Sequence, residues 1–315
     1  MTIQHRYDFV YLFDVTDGNP NGDPDAGNLP RVDAETGQGL VTDVCLKRKV
    51  RNYVAVAQGE KPRFRIFVRE KAVLNSQIEA AYVESKQVKA GLKAWLEWQK
   101  NKKLTKPERH FEDLACDWMC DNFYDVRTFG AVMTTGDEKE VGDGVKAKIK
   151  MTAGQVRGPV QLTMARSISP VFQGEFAITR CAVTNERDQE KERTIGRKFL
   201  LPYGLYRGFG YISASLAERT GFDETDLELF RQALNMMFEN DRSAARGLMR
   251  PVRCVAFRHE NKLGNARADQ LFDRVRVDLR HDVKAESRPP RSSSDYCISV
   301  AADDLPKGIT LEEWV

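Results

Sequence analysis

The chain has 315 residues, more than a typical single domain, so we expect two domains or one domain with a large insertion. Its composition, 41% hydrophobic and 30% charged residues, is typical of a soluble globular protein. No run of 18 apolar residues occurs, so no transmembrane helix is predicted and no membrane partner is expected.

The net charge of +3 is unevenly distributed along the chain. Residues 1–40 carry two basic and seven acidic side chains, whereas residues 41–110 carry seventeen basic and seven acidic ones. This asymmetry indicates an anionic partner on one part of the surface, with a solvated lysine-rich surface as the alternative.

The cysteine and histidine residues show no spacing typical of a metal centre or a catalytic triad. The six cysteines are scattered along the chain, which favours reduced thiols over a disulfide framework. The first fifteen residues contain interspersed polar side chains and no small-residue cleavage site, so no signal peptide is predicted. We therefore expect a cytoplasmic protein without a bound metal or other cofactor.

The first predicted element is a strand over residues 7–16, in which aromatic and β-branched residues dominate. The loop that follows, "DGNPNGDPDAGNLPR" at 17–31, begins like a calcium-binding EF-hand. Its matches to the first, third, fifth and sixth motif positions are Asp17, Asn19, Asn21 and Gly22. The twelfth position, where the motif requires a bidentate Glu, is Asn28. The sequence therefore argues against calcium and leaves a plain polar connection or a functional loop as alternatives.

A helix is predicted over residues 42–58, with Thr42 as its N-cap and Gly59 after its end. Its apolar residues recur at spacings of three and four and are Leu46, Val50, Tyr53, Val54 and Ala57. The basic residues predicted to project away from that face are Lys47, Arg48 and Arg51. Lys49 is predicted to lie nearer the side of the face, and all four cations are candidates for binding an anion.

Residues 63–68, "RFRIFV", alternate charged and apolar side chains as a half-buried strand does. Two helical patterns follow, over residues 75–102 and 108–123. Because strands are predicted on both sides, this helical block is interpreted as an insertion between the strands of one domain.

The second half of the chain predicts mostly strands. They cover residues 126–134, 158–171, 175–183 and 250–259, together with the stretch "FLLPYGLYRGFGYISASL" from 199. A helix is predicted over 223–240, and the tail beyond 284 is predicted to be rich in loops. Residues 184–198 are highly charged with almost no apolar content, so they are expected to protrude or to be disordered.

One local motif points to RNA. Residues 207–214, "RGFGYISA", match the long ribonucleoprotein motif of RNA-recognition folds at all but the last position, with Ile in place of Val. Val10, Tyr11 and Leu12 on the first strand match the short partner motif. The order strand, helix, strands, strand, helix, strand is that of a ferredoxin-like βαββαβ fold with an insertion. The alternative is that another layer covers these aromatic residues and that they only pack.

Several segments resemble the backbone subunit of type I CRISPR interference complexes, and most closely that of the type I-C subfamily. They are "NPNGDPDAGNLPRVDAETGQGLVTDVCLKRKVRNY" at 19–53, "DVRTFGAV" at 125–132, "GPVQLTMARSISPV" at 158–171 and "GRKFLLPYGLYRGFGYIS" at 196–213. The resemblance implies an α+β fold with three parts. These are an RNA-recognition-like palm (1–70 and 124–315), a helical fingers insertion (71–123) and a protruding β-hairpin thumb (183–198).

The resemblance also implies a subunit that is not an enzyme. Identical copies would polymerise along one CRISPR RNA into the helical filament of a Cascade complex and present the guide for pairing with target DNA in antiviral defence. The other implied partners are a guide-processing and 5′-end-capping subunit, a large subunit, a small subunit and a nuclease-helicase recruited through the complex.

A protein that holds guides of any sequence must contact phosphates and sugars rather than base edges. The candidate RNA contacts are Asn19, Asn21, Gly22, Lys47, Arg48, Lys49, Arg51, Arg127, Phe129, Arg166, Ser167 and, in the thumb, Arg193, Arg197 and Lys198. No catalytic or metal-binding residue is predicted.

Two rival functions remain open. One is a metal-dependent, guide-directed RNA endonuclease subunit, as in type III complexes, in which Asp23, Asp25 or Asp33 would coordinate Mg²⁺ against a phosphate. The other is a stand-alone module that binds single-stranded RNA as a monomer. Length-dependent assembly on RNA would distinguish the backbone subunit from the module.

Overall fold

The computed structural model describes residues 1–136, 138–140, 148–182, 186 and 194–315. Its α-helices are α1 (Asp43–Gln58), α2 (Leu74–Glu84), α3 (Lys86–Lys100), α4 (Phe111–Asn122), α5 (Tyr124–Phe129), α6 (Ala214–Thr220), α7 (Glu224–Met236), α8 (Ala268–Phe272) and α9 (His281–Ala285). The strands of the first half are β1 (Tyr7–Gly18), β2 (Gly22–Asp23), β3 (Leu29–Pro30), β4 (Gln38–Val41), β5 (Gly130–Met133), β6 (Glu138–Glu140), β7 (Lys148–Lys150) and β8 (Gly154–Arg157). Those of the second half are β9 (Val160–Leu162), β10 (Ala165–Pro170), β11 (Gly174–Arg180), β12 (Thr194–Ile212), β13 (Leu248–His259), β14 (Val275–Leu279), β15 (Tyr296–Val300) and β16 (Ile309–Glu313).

A large antiparallel sheet forms the centre of the described chain. Its strands lie in the order β16-β13-β1-β12-β10-β4, and β9 and β11 also pair with β12. The long strand β1 is central, and its Tyr11 lies between Gly208 of β12 and Cys254 of β13. Along the chain the elements follow the predicted order: β1, α1, then β9 and β10, β12, α7 and β13.

One face of this sheet is covered by α1 and α7. Phe13 of β1 and Tyr206 of β12 stack with ring centroids 5.4 Å apart, and Phe238, just after α7, lies 5.5 Å from Phe13. Val50 of α1 and Phe230 of α7 are fully buried in the same core. Burying a side chain of this size stabilises a fold by about 1.5–3 kcal/mol, so the apolar faces of both helices fix them to the sheet.

The opposite face is covered by α8 and by the hairpin of β14 and β15, over the buried side chains of Leu12 and Leu205. Phe209 stacks on Phe272 of α8 with ring centroids 4.6 Å apart, and Tyr211 meets the same ring edge-on at 5.6 Å. The aromatic residues of the ribonucleoprotein-like motif therefore pack against this layer, which is the alternative that the sequence left open.

The helices α2, α3 and α4 pack around a second core in which Ile78 and Leu92 are buried, and Met133 of β5 and Val156 of β8 pack into the same core. The predicted helix over 75–102 is two helices. The backbone of Ser85 is extended, and its hydroxyl oxygen accepts a hydrogen bond from the N–H of Val88 at 3.2 Å. Ser85 thus ends α2 and caps α3.

The prediction of a strand over 63–68 is wrong. The backbone N–H groups of Phe67 and Val68 donate to the buried carboxylate of Asp125 at 2.7 and 3.0 Å. Nearby, Arg65 makes only an isolated bridge to Phe123. A side chain therefore takes the hydrogen bonds that a neighbouring strand would supply.

Two further predictions of secondary structure need correction. The first half of the predicted strand over 126–134 is α5, all of whose residues are buried, so packing overrides the β propensity of Val126 and Thr128. The tail beyond 284 is more regular than predicted, because β15 pairs with β14 and β16 extends the main sheet beside β13.

The part of β12 that pairs with β1 begins at Leu201. The preceding residues of β12, 194–200, form a hairpin with β11. Most side chains of this hairpin are exposed. Residues 183–185 and 187–193 lie outside the described residues, so most of the predicted charged protrusion, including Arg193, is not placed. In the described parts of the chain no helix is both long and apolar enough to cross a membrane.

Candidate nucleic-acid interface

A groove of about 830 Å³ lies between the opening loop, the first turns of α1 and the segment after α7. We call it the loop–helix groove. Its polar and charged lining residues include Asn19, Asn21, Arg31, Asp43, Arg48, Lys49, Asn52, Glu70, Asn240, Asp241, Arg242 and Arg246. The cations outnumber the carboxylates among them, and several amides lie beside them. Such a lining suits the phosphate and sugar oxygens of a nucleic acid.

Asn21 ties the opening loop to the first turn of α1. Its Oδ1 accepts hydrogen bonds from the backbone N–H and the hydroxyl of Thr42, each at 3.0 Å. Thr42 Oγ1 in turn caps α1 by accepting from the N–H of Cys45 at 3.2 Å. The adjacent Gly22 is required by a close approach, since a Cβ there would lie 1.9 Å from the side-chain oxygen of Asn28. Asn21 and Gly22 therefore shape the wall of the groove.

Two buried polar atoms at the groove, Asn19 Oδ1 and Arg31 Nε, have no hydrogen-bond partner among the described residues. The Asn19 side chain is otherwise held, because its amide donates to the carbonyl oxygen of Asn28 at 2.7 Å. A buried polar atom without a partner costs about 1–3 kcal/mol. Polar groups of a ligand that reach these two atoms would remove that cost.

The basic residues of α1 differ in their accessibility. Arg48 points to solvent as predicted: its side chain is 66% exposed and pairs with the exposed Glu70 at 3.3 Å. Lys49 is buried and pairs with Asp241, a carboxylate that Arg246 also contacts at 2.8 Å. Lys49 therefore holds the far wall of the groove in place.

The prediction that Lys47 and Arg51 project freely outward is wrong. Both lie against the ring of Phe129, with the Lys47 nitrogen 5.7 Å and the Arg51 guanidinium carbon 5.3 Å from its centroid. Lys47 pairs with Asp43 at 3.1 Å and Arg51 with the buried Asp125 at 2.8 Å. The prediction that Phe129 offers a stacking plane to RNA is also wrong, because its ring is 7% exposed and already contacts these cations.

Arg127 is a buried structural residue, so the prediction that it contacts RNA is wrong. Its guanidinium binds both carboxylate oxygens of Asp226, at 2.9 and 2.7 Å. Its other N–H groups donate to the carbonyl oxygens of Cys120 and Arg63, at 2.6 and 2.9 Å. Every part of the guanidinium is therefore engaged in joining α4, α5 and α7.

Arg166 and Ser167 are neighbours in β10 with opposite environments. Arg166 is half exposed and pairs with Asp33 at 2.5 Å, which holds the pKa of that carboxyl below its usual range. Ser167 is 1% exposed, donates to the carbonyl oxygen of Ser169 at 2.6 Å and accepts from the N–H of Gly39 at 2.8 Å. Ser167 thus joins β10 to β4, and the prediction that it contacts RNA is wrong.

On the hairpin, Arg197 is exposed and pairs with Glu175 at 2.9 Å, and Lys198 lies opposite Phe176. Neither residue lines the loop–helix groove, and Arg166 does not line it either. The structure therefore brings together the candidates from the opening loop with Arg48 and Lys49, and places the other accessible ones elsewhere.

Sequence reasoning missed Arg31, Arg242 and Arg246, which line the groove. The last two belong to "NDRSAARGLMR" at 240–250, where two arginines between a helix and a strand are a local signal. Their closeness to the opening loop depends on the pairing of β1 with β13. That pairing lets the N–H of Asn19 donate to the carbonyl oxygen of Ala245 at 2.6 Å.

The loop carboxylates do not converge on one point. Asp23 caps the short turn that follows it and lies 3.4 Å from Arg31, while Asp33 pairs with Arg166. Within the described ranges, no three His, Cys, Asp or Glu side chains are grouped so as to hold a metal ion.

Comparison with known proteins gives a family match, a relative and several similar solved structures. The family model described as CRISPR-associated protein Cas7 matches residues 5–301. A Haloferax volcanii protein described as CRISPR-associated protein Cas7 is 26% identical over 232 residues, covering 72% of this chain and 62% of that protein. The chain thus matches less than two thirds of the length of that relative.

Two solved structures also resemble the chain. One, titled "CRISPR RNA-guided surveillance complex, pre-nicking", has a TM-score of 0.47 and 14% identity, covering 80% of this chain and 78% of that one. The other, titled "CRISPR RNA-guided surveillance complex", has a TM-score of 0.41 and 12% identity, covering 80% of this chain and 68% of that one.

Proposed function

Since the chain belongs to the CRISPR-associated protein Cas7 family, we propose that it is a CRISPR RNA-binding backbone subunit of a Cascade complex in antiviral defence. The observation that carries this proposal is the family match over residues 5–301, almost the whole chain. The segments quoted above support the finer assignment to type I-C. The proposal includes a cytoplasmic location and the partners named with the resemblance.

In this proposal the main sheet with α1 and α7 is an RNA-recognition-like palm (1–70 and 124–315). The alternation of strands and helices along the chain supports it. The packing of α2, α3 and α4 around the buried Ile78 and Leu92 supports a fingers insertion over 71–123. The exposed hairpin of β11 and β12 supports a thumb over 183–198.

The loop–helix groove is proposed to hold the phosphates of the guide. Arg48 and Arg242 are its accessible cations, with side chains 66% and 59% exposed. Their present partners, Glu70 and Glu239, are also exposed, and an exposed ion pair contributes only about 0–1 kcal/mol. A phosphate can therefore replace these carboxylates at little cost, whatever the base sequence.

The exposed hairpin is proposed to contact a neighbouring copy along the guide. Its large apolar side chains Phe176, Ile178 and Ile195 are 48%, 50% and 74% exposed, and Phe172 beside it is 71% exposed. Apolar side chains gathered on an exposed element are typical of protein–protein contact surfaces.

Sizing the purified chain with RNAs of increasing length tests the proposal. A backbone subunit gives particles whose mass rises in steps as the RNA lengthens. A stand-alone module would show one copy per RNA over lengths that fit one binding site, and a mass that does not rise would contradict the filament. Binding without any assembly would leave only the RNA-binding part of the proposal.

We also propose that the subunit does not cleave RNA. Asp23 and Asp33 each contact an arginine, and the Asp23 carboxylate also accepts a hydrogen bond from the backbone N–H of Asp25 at 3.2 Å. Incubating the guide-loaded assembly with complementary RNA and Mg²⁺ is expected to leave the RNA intact. Regularly spaced fragments that disappear in an Asp33→Ala variant would overturn this part.

A further inference from the structure

The lysines of the helical insertion differ from the cations of α1 in their surroundings. Between residues 86 and 110 the sequence has eight Lys or Arg and two Glu. All seven lysines of this stretch are exposed: Lys86, Lys89, Lys93, Lys100, Lys102, Lys103 and Lys106. Within the described residues none of them forms an ion pair, whereas each basic side chain of α1 has a carboxylate partner. Most of the unpaired positive charge of residues 41–110 therefore lies on the insertion.

Two half-buried tryptophans lie at the centre of this charge. The rings of Trp95 and Trp98 on α3 are 5.1 Å apart. The ammonium of Lys102 lies 3.3 Å from the centroid of Trp98, and that of Lys106 lies 5.7 and 5.6 Å from the two rings. The His110 ring packs edge-on against Trp95, with ring centroids 4.3 Å apart, and holds the indole in place. We call these residues the tryptophan–lysine patch.

The patch combines the two groups that single-stranded nucleic acid requires. Exposed bases stack on aromatic side chains, and the phosphates between them are attracted to nearby cations. A cation is held only weakly on a solvent-accessible ring. Lys102 and Lys106 can therefore leave the indoles for phosphates while a base takes their place. A duplex offers the same charge but keeps its bases stacked internally, so a single strand fits the patch better.

We propose that the tryptophan–lysine patch is a second nucleic-acid site, which binds a single strand by stacking on Trp98 and by phosphate contacts from Lys102 and Lys106. It shares no residue with the loop–helix groove, and it does not rest on the proposed function. Single-stranded DNA and RNA share the chemistry that the patch recognises.

Binding of a labelled twenty-nucleotide dT strand to the full chain, measured by fluorescence anisotropy at several salt concentrations, tests the proposal. The test variant is Lys102→Gln with Lys106→Gln. The matched control is Lys86→Gln with Lys89→Gln, which removes the same charge from the first turn of α3. We expect the slope of log affinity against log salt concentration to fall by about 1.4 in the test variant, as for two lost phosphate contacts. We expect its affinity for the strand to fall at least fivefold more than that of the control. Equal losses in both variants would show diffuse charge attraction and overturn the site.

Trp98→Leu tests stacking directly. We expect the dissociation constant to rise roughly five- to a hundredfold, the effect of losing one stacked base, with the thermal midpoint measured in parallel. An unchanged dissociation constant in the folded variant would overturn the proposal. If Trp98→Leu does not fold, the comparison of the two double lysine variants still tests whether the patch binds the strand.

Three further comparisons identify the ligand. A polyglutamate competitor matched in charge is expected to displace the strand poorly, and equal competition would overturn a nucleic-acid site. A twenty-nucleotide rU strand measured beside dT shows whether the patch prefers RNA or DNA. Tighter binding of either single strand than of a twenty-base-pair duplex supports the proposal. Tighter binding of the duplex than of both strands would overturn it.

The groove variant Arg48→Gln with Arg242→Gln separates the two proposals. If only this variant lost dT binding, the patch would be excluded while the proposed function stood. If the patch variants lost dT binding but the chain did not assemble on guide RNA, the proposed function would fail alone.

Discussion

The partner of each arginine or lysine decides what that residue does in this protein, and helical spacing does not reveal the partner. Arg51 and Arg48 lie three residues apart on α1, but Arg51 binds the buried Asp125 while Arg48 pairs at the surface with Glu70. The position of Arg48 on the helix is predictable from the sequence. The inward turn of Arg51 is not, because its carboxylate belongs to a segment more than seventy residues further along the chain.

The buried pair of Arg127 and Asp226 gives a stability prediction. Arg127→Gln leaves a fully buried carboxylate with Arg63 as its remaining guanidinium partner. Removing one partner of a buried pair costs about 3–5 kcal/mol, so the free energy of unfolding in urea is expected to fall by about 3 kcal/mol or more. Arg48→Gln, at an exposed pair, is the control and is expected to change it by less than about 0.5 kcal/mol. A loss below about 1 kcal/mol for Arg127→Gln would contradict a structural role.

The accessible cations of the groove give a binding prediction. Arg48→Gln combined with Arg242→Gln is expected to lower the affinity for guide RNA and to reduce the salt slope by about 1.4, because two phosphate contacts to a single strand are lost. The matched control, Arg267→Gln with Arg280→Gln, also removes two exposed, ion-paired arginines. Identical slopes for the two double variants would show that the groove does not hold phosphates.

At the scale of elements, β12 shows how far a sequence motif can be trusted. Strands are predicted for most of β1 and β12, and the structure pairs the two. The motif residues Phe209 and Tyr211 do lie on one face, as strand alternation requires. What covers that face is not predictable from the sequence. No element is predicted for the residues that form α8 and β14, and β15 lies in the tail beyond 284, which is predicted to be rich in loops.

The packing of Phe209 on Phe272 is testable with a double-mutant cycle. Phe209→Ala is expected to lower the free energy of unfolding by about 2 kcal/mol, since the ring is only partly buried. The coupling energy with Phe272→Ala is expected to be about 1 kcal/mol, as for a stacked pair. RNA affinity should not change in the folded single variants. A loss of affinity with unchanged stability would instead mean that Phe209 stacks on a base.

The turn before β15 gives a pH prediction. The Arg288 guanidinium at 2.8 Å, followed by the N–H groups of Arg291 and Ser292, lowers the pKa of Asp295 to about 2. Because this pKa lies below the unfolded value of about 3.9, the carboxylate stabilises the fold above pH 4 and loses that effect as the pH falls toward 2. The difference in unfolding free energy between the wild type and Asp295→Asn is therefore expected to shrink between pH 5 and pH 2.5. A difference that stays constant over this range would contradict the assignment.

At the scale of the whole molecule, two cores meet at the buried helix α5 and at a few buried charges. The sheet core and the core of the insertion have no buried apolar residue in common. Arg127 connects α4 of the insertion to α7 of the sheet layer, and Asp125 connects α1 to residues 67 and 68. The sequence predicts both blocks from local periodicity. It does not predict how they meet, since that depends on single polar contacts between distant segments.

Assembly of many copies is the prediction for the whole molecule. Phe176→Ser with Ile178→Ser is expected to stop growth on long RNA while leaving affinity for a one-site RNA within about twofold, because the hairpin does not line the groove. Leu263→Ser, which removes another exposed apolar side chain, is the control and is expected to assemble normally. Mass measurement across RNA lengths provides the readout, and unimpaired growth of the hairpin variant would exclude this contact.

The isolated bridge between Arg65 and Phe123, supported by the hydrogen bond from the N–H of Tyr124 to the carbonyl oxygen of Arg65 at 2.9 Å, has a consequence for engineering. The chain leaves the sheet layer and returns to it at one point. Insertions whose ends are adjacent are tolerated well, since closing them requires no change in the host domain. A replacement of the segment between these residues must keep the groups that bind Asp125 and Arg127 and the apolar face that packs against Met133 and Val156. Under that condition, helices of other lengths or charges can be placed there while the strand order of the main sheet stays the same.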